Sequence, residues 1–432
     1  GRVRLHRRAH QLDAGRRRSV SEALCRRRQT CRLCDSGDLT SVLQLTPTPP
    51  ANAFVDEVDL DAEQPVFPLE LFFCETCHHV QLLDVVDPAH LFRNYVYVSG
   101  TSPSFVKHFE DYANALIERF KPAAGALVVD IGSNDGTLLR FFPEQTVLGI
   151  DPATDIAKAA SDAGIETWPE FLDQEVTARI KREKGPAAIV TANNVFAHAD
   201  DLAGIADGVS ALLDACGVFV FEVSYGLDVY EKTLFDTIYH EHLACHTVSP
   251  LIGFFKSRGM ELFSVEHVEP QGGSIRCMVQ QAGGANAPDG SVEAALMRER
   301  ELGLDRAATW KAYASKIETR KIELNSLLVD LKSSGKAIAG FGAPAKATSL
   351  MYHFGIGPDV IDFIADDSPL KQGLYSPGLH IPVLSAAEIY ERRPDYVVIL
   401  AWNFAEPIMK AHAAFQEQGG KFIVPLPHLE VH

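Results

Sequence analysis

Residues 127 to 136, Leu-Val-Val-Asp-Ile-Gly-Ser-Asn-Asp-Gly, constrain this chain more than any other stretch. Apolar residues run into Asp130, Gly132 and Gly136 bracket three small polar residues, and Thr137-Leu138-Leu139 opens a helical pattern. The pattern predicts a buried parallel strand, a tight turn and a helix N-terminus, the first unit of a nucleotide-binding sheet. The glycines do not fall as G-x-G-x-x-G, and Asp135 sets a carboxylate where a pyrophosphate would meet helix N–H groups. A cationic ligand without phosphate suits the turn better. S-adenosylmethionine (SAM), with its sulfonium, α-ammonium and ribose diol, is such a ligand, and Asp130, Gly132, Asn134, Asp135 and Gly136 would line it. A second strand, Thr146 to Ile150, ends at Asp151, 21 residues past Asp130 and near the ribose-binding spacing of such folds.

The alternation continues. Helices are expected near 153–163, 170–183 and 200–214, and buried strands at Ala187–Ala192 and Gly217–Val223, which together make a doubly wound α/β domain. Asn193, Asn194 and His198 follow the first of these strands, where polar side chains face the ligand crevice; Asn193 is assigned to the cofactor.

Cysteines define a second unit. Cys31-Arg-Leu-Cys34 and Cys74-Glu-Thr-Cys77 are two C-x₂-C knuckles, able to close a tetrahedral thiolate cage around one zinc ion. Paired disulfides are the rival, but Cys216, Cys245 and Cys277 look unpaired, as in a reducing, cytoplasmic setting. With thiolates in all four positions the zinc would be structural. A β-rich module fits around it, with Val66–Phe73 as a strand entering the second knuckle. Tyr95 and Tyr97 alternate just ahead of the nucleotide-binding unit and are candidates for a substrate wall.

A net charge of −17 argues against nucleic acid as the main partner. No apolar run reaches the roughly 18 residues of a membrane span. The basic opening, 1–28, lacks an apolar signal core and is expected to be a disordered arm, or translated sequence ahead of the true start.

Chemistry is densest at Phe235-Asp-Thr-Ile-Tyr239-His240-Glu241-His242. A phenol, two imidazoles and a carboxylate are all competent for proton transfer, and imidazole is the best matched to neutral pH. His240 and His242 offer the same chemistry, and spacing alone does not choose between them.

The two knuckles, Asp130-Ile-Gly-Ser-Asn-Asp-Gly136, Asn193-Asn194 with His198, and Tyr239-His-Glu-His242 together resemble the nucleotide-sugar C-methyltransferases of antibiotic deoxysugar pathways, the D-tetronitrose C-3′-methyltransferase type among them. The resemblance runs from Cys31 to the C-terminus. It implies a zinc module, a central SAM domain and a C-terminal Rossmann-like domain that helps hold a dTDP-sugar. It further implies methylation of a 4-keto-deoxyhexose beside the ketone, at C3 with C5 as the alternative. His242 would be the general base, with Tyr239, Glu241, His198 and Asn194 around the sugar.

The remaining third reads as a second α/β unit. Ser274 and Arg276 beside Gly272-Gly273 are a candidate diphosphate clamp, with a plain hairpin turn as the rival. Residues 292–334 read as linking helices, and the strand-glycine-helix pattern recurs at 336–346, ending on Lys346. Lys371 to Tyr375 resembles a family loop near the nucleotide. The expected division is a zinc module over 29–95, a SAM domain over 96–255 and a nucleotide-sugar-binding domain over 256–432. An NAD-dependent nucleotide-sugar oxidoreductase and a non-catalytic sugar-binding protein are the alternatives, and the oligomeric state is open.

Overall fold

Alternation builds the first unit. In β2 (Phe67–Cys74) the buried side chains Phe67, Leu69, Leu71 and Phe73 recur at every second position and so share one face. This strand pairs antiparallel with β1 (Leu39–Thr48) and β3 (Val80–Leu82). The computed structural model describes residues 24–92, 100, 103–269 and 272–432. Tyr95 and Tyr97 lie outside them.

The basic opening is not wholly a free arm. Cys25–Arg27 forms a strand paired antiparallel with Asp84–Val86, and Arg26 and Arg28 form ion pairs with Asp200 of the next unit. The expectation of a disordered arm over 1–28 missed this at 25–28, because the carboxylate partner lies far along the chain.

An amphipathic helix, α1 (Pro103–Phe120), leads into the central unit. There β4 (Leu127–Ile131), β5 (Thr146–Ile150), β6 (Thr167–Trp168), β7 (Ala187–Asn193) and β8 (Leu213–Ser224) pair in parallel. Continuous apolar burial of β4 on both faces is what a central parallel strand requires. The helix expected after Gly136 is only a single 3₁₀ turn, Leu139–Phe141, since Pro143 lies too close for a longer one.

After β8 the chain crosses back. β9 (Ala244–Cys245) leaves the central unit and pairs with β3 of the zinc module. The central sheet then resumes with β10 (Met260–Val268) and β11 (Ser274–Gln281), giving the order β10-β11-β8-β7-β4-β5-β6 with β11 antiparallel to both its neighbours. This sheet thus runs past residue 255, where a division was expected, because the β10–β11 pair continues its hydrogen bonding.

Two helices, α2 (Ser291–Leu302) and the long α3 (Ala307–Ser333), lead to the last sheet. Its order is β14-β13-β12-β15-β16-β17, from β12 (Ile338–Phe341), β13 (Ile364–Asp366), β14 (Val383–Ser385), β15 (Tyr396–Ile399), β16 (Lys421–Val424) and β17 (Glu430–Val431). All but β17 are parallel. Helix α4 (Ala345–Phe354) follows β12 and faces the central unit and β1. Among the described residues no helix is long and apolar enough to cross a membrane.

Candidate active site and metal centre

The four knuckle sulfurs lie within 4.8 Å of one another, with Cys31 and Cys77 Sγ 3.5 Å apart and Cys34 and Cys74 Sγ 3.6 Å apart. A tetrahedral zinc with Zn–S of about 2.3 Å has sulfur edges of about 3.8 Å, so the cluster fits that ion. None of the four is in a disulfide. His78 and His79 do not join the cluster. His79 is buried and its ring lies 5.4 Å from that of His246.

In the central unit the turn after β4 carries positive φ at Gly132, Asn134 and Gly136, of 67°, 52° and 74°. A Cβ on Gly132 would fall 2.3 Å from Val195 Cγ2, so glycine is needed both for the turn and for the close approach of the chain after β7. Asp151 accepts hydrogen bonds from the backbone of Asn134 (2.8 Å) and Ala153 (2.9 Å), tying the tip of β5 to this turn. Asp135 is occupied by the turn itself, accepting from Thr137 Oγ1 (2.6 Å) and the Gly100 amide (3.2 Å). Asp130 accepts from Thr191 Oγ1 at 2.7 Å, and burial pushes its carboxyl up to about 7. A cation brought near it would favour the ionised form.

Of the catalytic candidates, Tyr239, His242 and His198 come together. His242 Nδ1 lies 2.6 Å from the Thr237 carbonyl, which can only accept, so Nδ1 carries the proton and Nε2 the lone pair. The Tyr239 hydroxyl donates to that Nε2 at 2.8 Å. His198 stacks on His242 with ring centroids 4.9 Å apart, and Phe92 covers its other face at 5.9 Å. Glu241 accepts from Asn52 Nδ2 of the zinc module at 2.9 Å. His240 points away: its Nε2 meets the Phe67 carbonyl at 3.2 Å, and its ring packs edge-on against Phe67. The structure therefore separates two histidines that spacing left equivalent.

Asn193 and Asn194 divide in the same way. The Asn193 amide is shut from solvent yet has no hydrogen-bond partner among the described residues. Asn194 takes a left-handed φ of 55° and donates its backbone N–H to the Glu222 carbonyl at 2.8 Å. The orphaned amide beside a glycine cradle fits a bound polar cofactor.

The clamp expected at Ser274 and Arg276 is not formed. Ser274 pairs with Val268 across the β10–β11 hairpin. Arg276 is buried and already engaged by Glu266 (2.9 Å) and Glu222 (3.5 Å), over the Tyr112 ring at 3.9 Å. Lys346 lies instead where the second α/β sheet meets the 235–243 segment, and Lys371 lies beside the start of the helix that carries Lys346. Lys346 sits 3.8 Å from Asp236 and 3.7 Å from the Trp402 ring, and burial lowers its ammonium to about 8. Lys371 donates to the Ala343 carbonyl at 2.7 Å, and Tyr375 exchanges backbone hydrogen bonds with Val55. The buried Asp236, bonded to Trp402 Nε1 at 2.6 Å, went unnoticed in the sequence because a lone acid has no spacing signature.

A parallel α/β sheet with a glycine turn after β4, an imidazole–phenol pair in the segment after β8 and a four-thiolate cluster in a separate module together make a candidate group-transfer enzyme with a metal module. Three family descriptions match in succession: a zinc-binding domain over residues 31–92, a methyltransferase domain over 105–265 and a C-methyltransferase C-terminal domain over 269–427. The C-methyltransferase NovU of Streptomyces niveus is 34% identical over 403 residues, covering 93% of this chain and 96% of that relative. The chain belongs to this C-methyltransferase family. Solved structures similar to it include a SAM-dependent methyltransferase from Clostridium acetobutylicum, at 14% identity and a TM-score of 0.34 over 41% of this chain and 92% of that one. Another is the plantazolicin methyltransferase BpumL, at 12% identity and a TM-score of 0.34 over 42% of this chain and 86% of that one. The methyl donor that this family implies is SAM, and the residues present fit it.

Zinc analysis of purified protein is expected to give one ion per chain, and Cys74→Ser to lose it together with protection of β1 to β3 from hydrogen exchange, because structural zinc binding is folding free energy. Folded protein without stoichiometric metal refutes this.

Burial also sets a pH window. His240, His242 and His246 are pushed down to about 4 from an ordinary value of 6.5, and His79 and His198 well below it. The unfolded chain then binds protons that the folded chain refuses, so this stability is complete above pH 6.5 and drains as pH falls toward 4. Asp130, raised to about 7, opposes this over the same window, so the histidine share is read as the urea midpoint of wild type relative to His246→Gln, which should fall as pH drops toward 4; a pH-independent difference contradicts it.

Proposed function

We propose that this C-methyltransferase methylates a dTDP-4-keto-deoxysugar at the carbon beside the ketone, at C3 with C5 as the alternative. The observation that carries the reading is the Tyr239–His242 pair: a neutral imidazole of fixed tautomer whose basic nitrogen already holds a phenolic proton donor. Saturated carbon is not a nucleophile, whereas carbon beside a ketone becomes one once its proton is removed.

His242 Nε2 is the base. Burial keeps its imidazole unprotonated down to about pH 4, so it enters the reaction in the accepting form. As the sugar enters, the Tyr239 hydroxyl turns from Nε2 to the ketone oxygen, uncovering the base and supplying a donor to the developing oxyanion. His198 is the second candidate donor: its Nε2 is buried without a partner among the described residues. Glu241 and Asn194 orient the sugar, Glu241 through its bond to Asn52. SAM, when bound, would supply an electrophilic methyl group to the enolate carbon, its S–CH3 bond breaking to leave the neutral thioether. Exclusion of water protects the enolate from simple reprotonation.

Asp151 holds the ribose diol. A carboxylate offers about four lone-pair directions, and the two backbone donors of Asn134 and Ala153 leave the others free. Asp130 lies toward the amino-acid end, with Gly132, Asn134, Gly136 and the Asn193 amide lining the cradle; Asp135 acts by shaping the turn. Lys346, Lys371 and Tyr375 lie toward the nucleotide diphosphate. Both cations sit at the C-terminal side of the second parallel sheet, the ligand-binding edge of such folds. Ser274 and Arg276 support the central sheet instead.

Asp151→Ala is expected to weaken SAM binding by about 1.5–3 kcal/mol, the worth of a charge-assisted hydrogen bond, as read by calorimetric titration. Unchanged affinity moves the ribose contact elsewhere.

The assignment of the base has a direct test. Exchange of the α-proton of a 4-keto dTDP-sugar with solvent deuterium, measured without SAM, isolates the first step. His242→Ala should abolish exchange and methyl transfer alike while keeping SAM affinity, and the wild-type exchange rate should fall only near pH 4. Exchange that persists in His242→Ala but vanishes in Tyr239→Phe makes the phenol the base. Absence of both exchange and methylation with every 4-keto dTDP-sugar removes the proposed substrate class.

A further inference from the structure

Arg32 stands between the first two zinc ligands, yet its side chain leaves the metal module. It is 3% exposed, and its guanidinium reaches two places in the central unit at once. Nη1 donates to the Leu243 carbonyl at 3.2 Å, the peptide immediately after His242, and also to the Leu82 carbonyl and to Gln81 Oε1 (3.1 Å). Nε lies 3.1 Å from Asp200 Oδ1, two residues beyond His198. The same fork thus touches the chain beside each member of the stacked His198–His242 pair. Asp200 is further held by Arg26 and Arg28. The Leu82 amide donates to the Leu243 carbonyl at 2.9 Å, and β9 continues the zinc module's sheet from there.

Sequence alone would make Arg32 an exposed basic residue on a knuckle. Its burial has a cost, which the nearby Asp200 carboxylate offsets. A buried cation with its fork divided between two catalytic flanks is a spacer between them. We propose that Arg32 is a positioning residue that fixes the spacing of His198 and His242, so that the zinc knuckle sets the geometry of proton abstraction from outside the site. The inference rests on the proposed role of His242, and its tests are chosen to fail separately from it.

Arg32→Lys keeps a positive charge but loses the planar fork that reaches Leu243 and Asp200 together. It is expected to retain one zinc per chain and wild-type SAM affinity, and to lower kcat about a hundredfold with KM little changed, the scale of an ångström misplacement of a catalytic group. Exchange of the substrate α-proton without SAM should fall by the same factor. Arg32→Met should fall further. Where Arg32→Met does not fold, Asp200→Asn removes the other half of the contact and should show the same split between kcat and KM. A readout that needs no reaction is the side-chain NMR spectrum of the resting protein, in which the His198 and His242 ring resonances should move in Arg32→Lys. Wild-type kcat and exchange in folded Arg32→Lys overturn the proposal, as do unmoved histidine resonances. Shifted resonances in a protein whose exchange does not depend on His242 would support Arg32 as spacer and reject the base assignment alone.

Discussion

The structure depends on a segment that has almost no regular structure of its own. Residues 235–243 contain only a 3₁₀ turn, Phe235–Thr237, and their shape is imposed from outside. Ser349 of α4 donates to the Ile238 carbonyl at 2.8 Å, Trp402 binds Asp236, Asn52 binds Glu241, the Phe67 carbonyl meets His240, and the Leu82 amide holds Leu243. Donors or acceptors from both flanking units therefore fix the backbone and side chains on either side of His242. A loop held this way makes these bonds only when all three units are assembled, so its conformation is a property of the assembled chain.

The cations follow the same logic. In a chain of net charge −17, two basic side chains are buried at the joints between units, Arg32 against Asp200 and Lys346 against Asp236. Such pairs add little net stability over an apolar contact, but removing one partner strands a charge and costs about 3–5 kcal/mol. They therefore act on fit more than on strength. A misplaced unit is penalised sharply, and a placed one is fixed in orientation as well as in position.

How much of this was legible in the sequence follows from the range of each interaction. The strand at 127–131, the strand ending at Asp151 and the two thiolate knuckles were readable, because periodicity and ligand spacing are local signals. The helix expected after Gly136 was not formed, since Pro143 closes the segment early. The end of the central sheet was misplaced, because nothing in Met260–Val268 or Ser274–Gln281 says which strand they will pair with. Arg276 read as a ligand clamp because a glycine pair and a fork-shaped cation look alike whether the fork faces solvent or two carboxylates. His240 and His242 were inseparable for the converse reason: what distinguishes them is a carbonyl from residue 67 and a carbonyl from residue 237. Long-range partners decide function here, and composition does not report them.

On the proposed reading the electrostatics of the two α/β sheets divide the labour. The turn after β4 is rimmed by Asp130, Asp135 and Asp151, with burial raising the first and the last above their ordinary values. An anionic rim suits a sulfonium and an ammonium, and it would repel a nucleotide diphosphate. The second sheet carries Lys346 and Lys371 beyond the C-terminal ends of its strands, each lowered by burial and so readily stabilised in its charged form by an incoming anion. On that reading a positively charged donor and a negatively charged acceptor are sorted to different sheets before any carbon is deprotonated. The base needs no charge of its own for this sorting, which is why a neutral imidazole, held at one tautomer by the Thr237 carbonyl, is sufficient at the centre.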